Sequence, residues 1–183
     1  EMRTPVATLL GRTQVALSQK RSVVELQEVL EGNIEELERL ARLISDMLLI
    51  ASADALHNPV HGEHIELFEE AQRVADYLAM IAEENDVLVD VQGRASVKAD
   101  RLLVQRAITN LLSNAIRHAS EKSTVVVEIG EDLGAVTLSV RNRGTGISAV
   151  HLERIFDRFY RIDSGRTRID GGTGLGLAIV RVI

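Results

Sequence analysis

The sequence predicts an α+β protein in which a helical hairpin precedes a two-layer α/β sandwich. The first observation is the spacing of apolar residues by three and four positions from about residue 4 to residue 53. The second is a change of period, because beyond residue 63 alternating apolar segments are mixed with segments of helical spacing. Between the two regions, Asn58, Pro59 and Gly62 indicate a linker.

Composition limits the classes of function. The chain has 183 residues, of which 45% are hydrophobic and 26% charged, as in ordinary globular domains. The formal net charge is −6 and no basic stripe is present, so we expect no nucleic-acid partner. The absence of cysteine excludes disulfides and thiolate metal sites. No apolar run reaches about 18 residues, so we expect no membrane contact within these residues.

The N-terminal region is predicted to contain two helices. The first covers about 4–18, with Pro5 in its first turn, where the missing N–H costs nothing. Ser22 and Glu25 have the form of a capping box and predict a second helix that ends near Ala53. Two such hairpins in a symmetric dimer would bury their apolar stripes as a four-helix bundle. The alternative is a single hairpin packed on the rest of the chain.

Strands and helices alternate after the linker. In chain order we expect a short strand at Ile65 and Leu67, a helix over 69–84, a strand over 87–91 with a second strand over 95–99 beside it, a helix over 100–119 capped by Asp100, a hairpin of 125–129 and 135–140, and a final helix over 175–183.

Asn110-Leu-Leu-Ser-Asn114-Ala places two asparagines on one face of a helix, because they are four residues apart. A carboxamide oxygen suits Mg²⁺, which prefers few protein ligands beside water and nucleotide phosphates. Arg117 follows about one turn later, where a cation would meet a phosphate. Taken alone, the pattern favours a solvated helix face over a cation site.

Three further segments carry possible chemistry, although each has an ordinary structural explanation. The segment 142–146, Asn-Arg-Gly-Thr-Gly, follows a predicted strand and would allow either a ligand or a simple turn. The aromatic segment 156–161, taken alone, favours core packing of a short helix. The segment 171–177, Gly-Gly-Thr-Gly-Leu-Gly-Leu, leads into a helix, where free N–H groups bind anions. It matches neither a P-loop nor a dinucleotide fingerprint.

In this order and spacing, the four segments resemble the N box, first glycine box, F box and second glycine box of the histidine kinase catalytic domain. That domain belongs to the gyrase, heat-shock-ninety, histidine kinase and MutL ATPase superfamily. The opening residues Glu1-Met-Arg-Thr-Pro5 resemble the tail of the family's H box. The resemblance implies dimerisation and phosphotransfer helices over 1–56, a linker over 57–63 and an ATP-binding catalytic domain over 64–183, with both domains truncated at their outer ends.

The resemblance implies that the chain binds ATP and Mg²⁺. Asn114 would be a Mg²⁺ ligand with Asn110 beside it at the phosphates, and His118 would pack near the sugar or base. Arg161 would reach the γ-phosphate, and the stretch 148–170 would be a mobile lid. The implied nucleotide-binding residues are Asn110, Asn114, Arg117, His118, Asn142, Gly144, Gly146, Tyr160, Arg161, Gly172, Thr173, Gly174, Leu175 and Gly176.

The implied reaction is phosphoryl transfer from ATP to a histidine and then to an aspartate of a response regulator receiver domain. Glu1 would follow the acceptor histidine as its hydrogen-bonding base, and Thr4 would orient water for dephosphorylation. The N-terminal helices would form a homodimer. The chain would be the cytoplasmic portion of an inner-membrane sensor.

Three departures from the family pattern stand out. The acceptor histidine would precede Glu1 and is not among these residues, and the chain ends before the family's closing strands. Asn142 stands where the family has an aspartate that accepts a hydrogen bond from the adenine amine. The uncharged asparagine would weaken adenine binding by about 1 kcal/mol. Asn142 and the DMLLIASAD stretch resemble the heavy-metal, copper-type subgroup of sensor kinases, and this resemblance implies a metal signal that is sensed outside these residues. We interpret the nearby histidines His57, His61 and His64 as part of a solvated linker.

Two alternatives stay open from sequence. A nucleotide-binding dimerisation module without kinase activity is slightly favoured by Asn142 and opposed by the intact asparagines and second glycine box. A gyrase-like ATPase would need a glutamate base where Asn110 stands.

Overall fold

A computed structural model describes residues 3–53, 62–162 and 173–183, with the side chains of residues 3, 52 and 53 left out of the description. The elements in chain order are helix α1 (Arg3–Leu17), helix α2 (Val23–Ala53), strand β1 (Glu63–Glu66), helix α3 (Leu67–Tyr77), helix α4 (Ala79–Glu84), strand β2 (Val87–Gln92), strand β3 (Ser96–Ala99), helix α5 (Arg101–His118), strand β4 (Ser123–Asp132), strand β5 (Ala135–Arg141), helix α6 (Ala149–Leu152) and helix α7 (Gly176–Val182).

Helices α1 and α2 form the predicted hairpin. The capping box at the start of α2 is confirmed, because the Ser22 N–H donates to Glu25 Oε2 (2.8 Å) and the Glu25 N–H donates to Ser22 Oγ (3.2 Å). The backbone bond from Ser22 lowers the pKa of Glu25 below its ordinary value. Across the hairpin, Asn33 donates to the Thr13 hydroxyl (3.1 Å).

Two small sheets and the helices α3 and α5 surround the main core. The larger sheet has the order β2-β4-β5, with β2 parallel and β5 antiparallel to β4. The predicted cap of α5 is confirmed, because Asp100 Oδ1 accepts from the Leu102 and Leu103 N–H groups (2.8 and 3.2 Å). The apolar face of α5, which includes Leu112 and Ile116, is fully buried against the sheet.

The prediction that strand 95–99 pairs with strand 87–91 is wrong. Strand β3 instead pairs antiparallel with β1, and Ile65 lies opposite Val97. Gly93 explains the divergence, since its φ of +80° turns the chain and a Cβ there would lie 1.9 Å from the Ile129 carbonyl oxygen of β4.

Smaller differences concern element boundaries. Glu63, which the sequence places in the linker, is the first residue of β1, and Leu67 belongs to α3 rather than to the strand. The single helix expected over 69–84 is divided at Leu78 into α3 and α4. Leu78, the residue between these two helices, is buried.

The long helix α2 also packs on the C-terminal helix α7. Leu43 and Ile50 of α2 share a buried cluster with Leu175, Ala178 and Ile179. Beside this cluster Asp46 of α2 forms an ion pair with Arg106 of α5. None of the helices in the described ranges combines the length and apolar character needed to cross a bilayer.

Candidate functional site

Helix α5 places Asn110 and Asn114 on a partly exposed face, while the buried face of the same helix holds it on the core. Helix α7 contacts α5 along this region. Helix α5, which carries the predicted asparagines, and helix α7, which begins within the second glycine segment, are therefore neighbours in space.

Asn110 lies directly against the first residue of α7. Its Oδ1 atom is 3.1 Å from the position that a Cβ would take at Gly176, so a larger residue would crowd the carboxamide. The Nδ2 atom of Asn110 is buried and has no hydrogen-bond partner among the described residues. A buried amide without a partner is costly, and it fits a site where a ligand supplies the missing acceptor.

Gly144 lies against the C-terminal end of α5. It forms an isolated bridge with Ala119, and the Ser120 N–H donates to the Arg143 carbonyl oxygen (2.7 Å). A Cβ at Gly144 would lie 1.9 Å from the His118 carbonyl oxygen, so the close approach requires glycine. By contrast, a Cβ at Gly146 would meet nothing within 4 Å.

Gly174 is held by the end of the aromatic segment. The Phe159 N–H donates to the Gly174 carbonyl oxygen (2.8 Å). Gly174 has a φ of +70°, and a Cβ there would lie 2.8 Å from the Phe159 carbonyl carbon. The Thr173 hydroxyl accepts from the Leu175 N–H (3.4 Å), and Leu175 is buried in the cluster shared with α2. The turn before α7 therefore has a defined backbone.

The remaining predicted residues are placed as follows. Arg117, His118 and Asn142 are exposed at the ends of α5 and β5, whereas Tyr160 and Arg161 are half-buried after the aromatic segment. Thr4 is exposed in the first turn of α1. Glu1, Gly172, His57, His61 and most of the linker lie outside the described residues.

A buried carboxylate anchors the other end of α5. Glu70 of α3 is fully buried; its Oε2 accepts from Gln105 Nε2 (2.6 Å), and its Oε1 pairs with Arg73 and Arg101. Burial acts to raise the pKa of Glu70, but the hydrogen bonds from Gln105 and Arg73 and the charges of the arginines outweigh it and leave the pKa below its ordinary value. Arg101 also donates to Glu63 (2.8 Å), which lowers the pKa of that exposed carboxylate.

Sequence reasoning missed two groups near the site. His151 Nδ1 lies 2.6 Å from the Tyr160 hydroxyl, and Asp46 pairs with Arg106 only four residues before Asn110. Neither contact has a local sequence signal, because each joins residues brought together by the fold. A cavity of about 580 Å³ between α3, α4 and β2 is lined by none of the predicted site residues.

Two family models match the chain. Residues 1–56 match HisKA, the His Kinase A (phospho-acceptor) domain. Residues 99–183 match HATPase_c, the histidine kinase-, DNA gyrase B- and HSP90-like ATPase. The second match contains the asparagine pair and both glycine segments.

Curated relatives match over the whole chain. The chain is 46% identical to the sensor protein IrlS of Burkholderia pseudomallei over 183 residues, which are 100% of this chain and 39% of IrlS. It is 42% identical to the sensor histidine kinase CusS of Escherichia coli K12, with 100% of this chain and 38% of CusS covered. The chain thus spans about two fifths of the length of these relatives.

Solved structures share the fold. The Acinetobacter baumannii histidine kinase AdeS superposes with a TM-score of 0.76 at 21% identity, covering 98% of this chain and 83% of that one. Histidine kinase ThkA in complex with response regulator protein TrrA gives a TM-score of 0.68 at 20% identity, covering 87% and 48%. With the two domain matches and the similarity of this whole chain to about two fifths of IrlS and CusS, the chain belongs to the sensor histidine kinases and comprises HisKA and HATPase domains.

Proposed function

We propose that this chain binds Mg²⁺-ATP at the junction of α5, the turn after β5 and the start of α7, and supports transfer of the γ-phosphate to a histidine. The observation that carries the proposal is the contact of Asn110 with Gly176, which brings the asparagine pair beside the phosphate-type glycine turn. The HATPase_c match over 99–183 supports the same substrate.

The residues present fit the nucleotide. The partnerless Nδ2 of Asn110 offers a donor, and Gly176 leaves space beside it that a Cβ would fill. Asn114, one turn further along α5, offers a neutral oxygen to the cation. Bound Mg²⁺ would neutralise charge that develops on the phosphates.

The other proposed residues orient the nucleotide. Arg117 and Arg161 supply positive charge for the phosphate chain, and Gly172, Gly174 and Gly176 allow the backbone to approach it. Gly144 and Gly146 border the adenine, with His118 near the sugar or base, and the Asn142 carbonyl accepts from the adenine amine. Thr173, Leu175 and Tyr160 complete the proposed set.

The phosphate acceptor in this proposal is a histidine immediately before Glu1. Glu1 would accept its proton or hydrogen bond, and Thr4 would orient the water that dephosphorylates a partner aspartate. The partner is a response regulator receiver domain that docks on the helical hairpin. The ThkA–TrrA complex, a solved assembly of a protein with this fold, supports that choice.

The hairpin supports a homodimer. Apolar residues along α1 and α2 remain exposed in the single chain, including Val6, Leu10, Leu26, Leu30, Ile34, Leu37 and Leu48. A second copy would bury this stripe in a four-helix bundle. We place these domains, with their boundaries at 1–56 and 64–183, on the cytoplasmic side of an inner-membrane sensor whose signal is a heavy metal, as the subgroup features Asn142 and DMLLIASAD imply.

A second candidate is a nucleotide-binding dimerisation module without kinase activity. Asn142 favours it, because an amide in place of the family's aspartate removes the negative charge that meets the adenine amine. The intact Asn110, Asn114 and second glycine segment oppose it.

The two candidates separate in one experiment. The protein is extended to include the residue before Glu1 and incubated with ATP labelled in its γ-phosphate. Acid-labile, base-stable label that disappears when the preceding histidine is replaced supports the kinase. Nucleotide binding without any label supports the binding module instead.

A further inference from the structure

Phe159 has an unusual backbone conformation at the point where it meets the second glycine segment. Its φ of +64° lies in the left-handed region, which is rare for a bulky residue. In this conformation its N–H donates to the Gly174 carbonyl oxygen (2.8 Å), and its ring packs on the cluster that contains Leu175 and Ile179. A strained conformation of this kind persists only where surrounding contacts hold it.

The next residue, Tyr160, supplies such contacts. Its hydroxyl shares a hydrogen bond of 2.6 Å with His151 Nδ1, nine residues earlier at the end of the short helix α6. The Arg154 guanidinium lies 4.3 Å from the centroid of the Tyr160 ring and pairs with Asp157 (3.8 Å). We call His151, Arg154 and Tyr160 the tyrosine staple.

The staple closes the segment between α6 and Phe159 into a loop. Backbone bonds from Arg154 and Ile155 to the His151 carbonyl oxygen (both 2.9 Å) fix the histidine end. Both His151 and Tyr160 are half-buried, so their hydrogen bond is partly shielded from water. Without this hydrogen bond, Arg154 would be the one member of the tyrosine staple still in contact with Tyr160. The backbone conformation of Phe159 would then be less restricted.

We propose that His151 is a positioning residue for nucleotide binding. Through Tyr160 it holds Phe159 in the left-handed conformation, and Phe159 in turn places Gly174 and the N-terminus of α7 beside Asn110. This inference rests on the proposed function, because the glycine turn matters to the nucleotide only if phosphates bind there. It assigns His151 no contact with the nucleotide.

The test compares His151→Ala, Tyr160→Phe and their double variant. We expect each single variant to raise the calorimetric dissociation constant of a non-hydrolysable ATP analogue with Mg²⁺ roughly threefold to tenfold, the worth of one hydrogen bond. The double variant should be no weaker than the single ones, because both remove the same bond. His151→Asn, which keeps a polar group near the Nδ1 position, should recover part of the loss.

Matched controls come from the same chain. Tyr77→Phe alters the other tyrosine, which is 78% exposed on α3, and His64→Ala alters an exposed histidine on β1. Both should leave the affinity unchanged. A second readout needs no nucleotide, since hydrogen exchange of the Phe159 amide should accelerate in His151→Ala and Tyr160→Phe but not in the controls.

The outcomes are distinct. Weaker binding in both single variants, non-additivity and faster exchange at Phe159 support the inference. If His151→Ala binds the analogue as tightly as the unaltered chain, the inference is overturned while the proposed function stands. If only Tyr160→Phe weakens binding, the hydroxyl acts directly on the nucleotide and His151 has no positioning role. An unaltered chain that does not bind the analogue overturns both.

Discussion

The Oδ1 atom of Asn110 lies 3.1 Å from the point that a Cβ would occupy at Gly176. These two residues are distant in sequence, and the packing of α7 on α5 brings them together. The proposed phosphate side of the site therefore depends on helix packing as well as on the two motifs. Gly176 is also the first residue of α7, and the three atoms nearest to a Cβ there all belong to the Asn110 side chain.

Gly176→Ala should weaken nucleotide binding without unfolding the protein. The added Cβ must push the Asn110 carboxamide by a few tenths of an ångström, while alanine favours the helix by up to about 1 kcal/mol. We expect the dissociation constant of an ATP analogue to rise about fivefold and the thermal midpoint to remain level or rise. Gly11→Ala is the matched control, because a Cβ there meets nothing within 4 Å. Equal affinities for the two variants would show that the Asn110–Gly176 contact does not matter to the nucleotide.

The two glycines of the segment after β5 should differ in their tolerance of alanine. Gly144→Ala places a Cβ 1.9 Å from the His118 carbonyl oxygen, so the bridge to Ala119 must open. We expect a loss of about 1–3 kcal/mol in the free energy of unfolding, the usual cost of overpacking. Gly146→Ala should leave that free energy unchanged within about 0.5 kcal/mol. Urea unfolding of both variants checks this, and equal stabilities would contradict the close approach at Gly144.

Local signals allowed much of the fold to be predicted. Ser22 with Glu25 and Asp100 before α5 fix helix starts through hydrogen bonds between near neighbours, so these predictions are confirmed. The predicted partner of β3 was wrong, because alternating apolar residues identify a strand but not the strand it pairs with. The positive φ at Gly93 turns the chain away from β2. The break at Leu78 also lacked a signal, since no glycine or proline marks it.

At the candidate site, the residue types could be predicted from the sequence, whereas the contacts between them depend on the fold. The asparagines and glycines were recognisable as segments, and their use in nucleotide binding stays a prediction. The contacts of Asn110 with Gly176 and of His151 with Tyr160 depend on packing or on the path of a turn. The docking of α2 on α7 through Leu43 and Ile50 likewise depends on side chains far apart in the chain.

Glu70→Gln should destabilise the protein in a pH-dependent way. The variant removes the negative charge that pairs with Arg73 and Arg101. We expect the free energy of unfolding to fall by about 1–3 kcal/mol at pH 7, a loss that is moderated because both arginines are partly exposed. Since the pKa of Glu70 is lowered in the folded state, its stabilisation is complete above its unfolded pKa, near the ordinary value of 4.5, and disappears as the pH falls through the folded pKa.

Urea unfolding across this pH range measures the effect. The difference between the unaltered protein and Glu70→Gln should narrow below about pH 4.5. Glu69→Gln is the control, because Glu69 is exposed and its ion pair with Arg73 is long (3.7 Å). If the difference in the free energy of unfolding between the unaltered protein and Glu70→Gln stayed constant with pH, a stabilising ionised Glu70 would be contradicted.

Leu37→Glu should separate the proposed dimer. Leu37 is 53% exposed in the single chain and lies on the apolar stripe of α2. Loss of one buried leucine per copy should raise the dimer dissociation constant at least about a hundredfold. Sedimentation velocity measures this, with Leu102→Glu on α5, where the leucine is 74% exposed, as the matched control. An unaltered protein that is monomeric at high concentration would contradict the four-helix bundle.

The most direct test of the central claim is calorimetric titration of the chain with a non-hydrolysable ATP analogue, with and without Mg²⁺, beside Asn114→Ala. Ser113→Ala is the control, because Ser113 lies on the same helix and its hydroxyl donates to the Asn110 carbonyl oxygen (3.4 Å). We expect Mg²⁺-dependent binding that Asn114→Ala abolishes and Ser113→Ala preserves. A folded chain that fails to bind, or that binds equally well with Asn114→Ala, would contradict it.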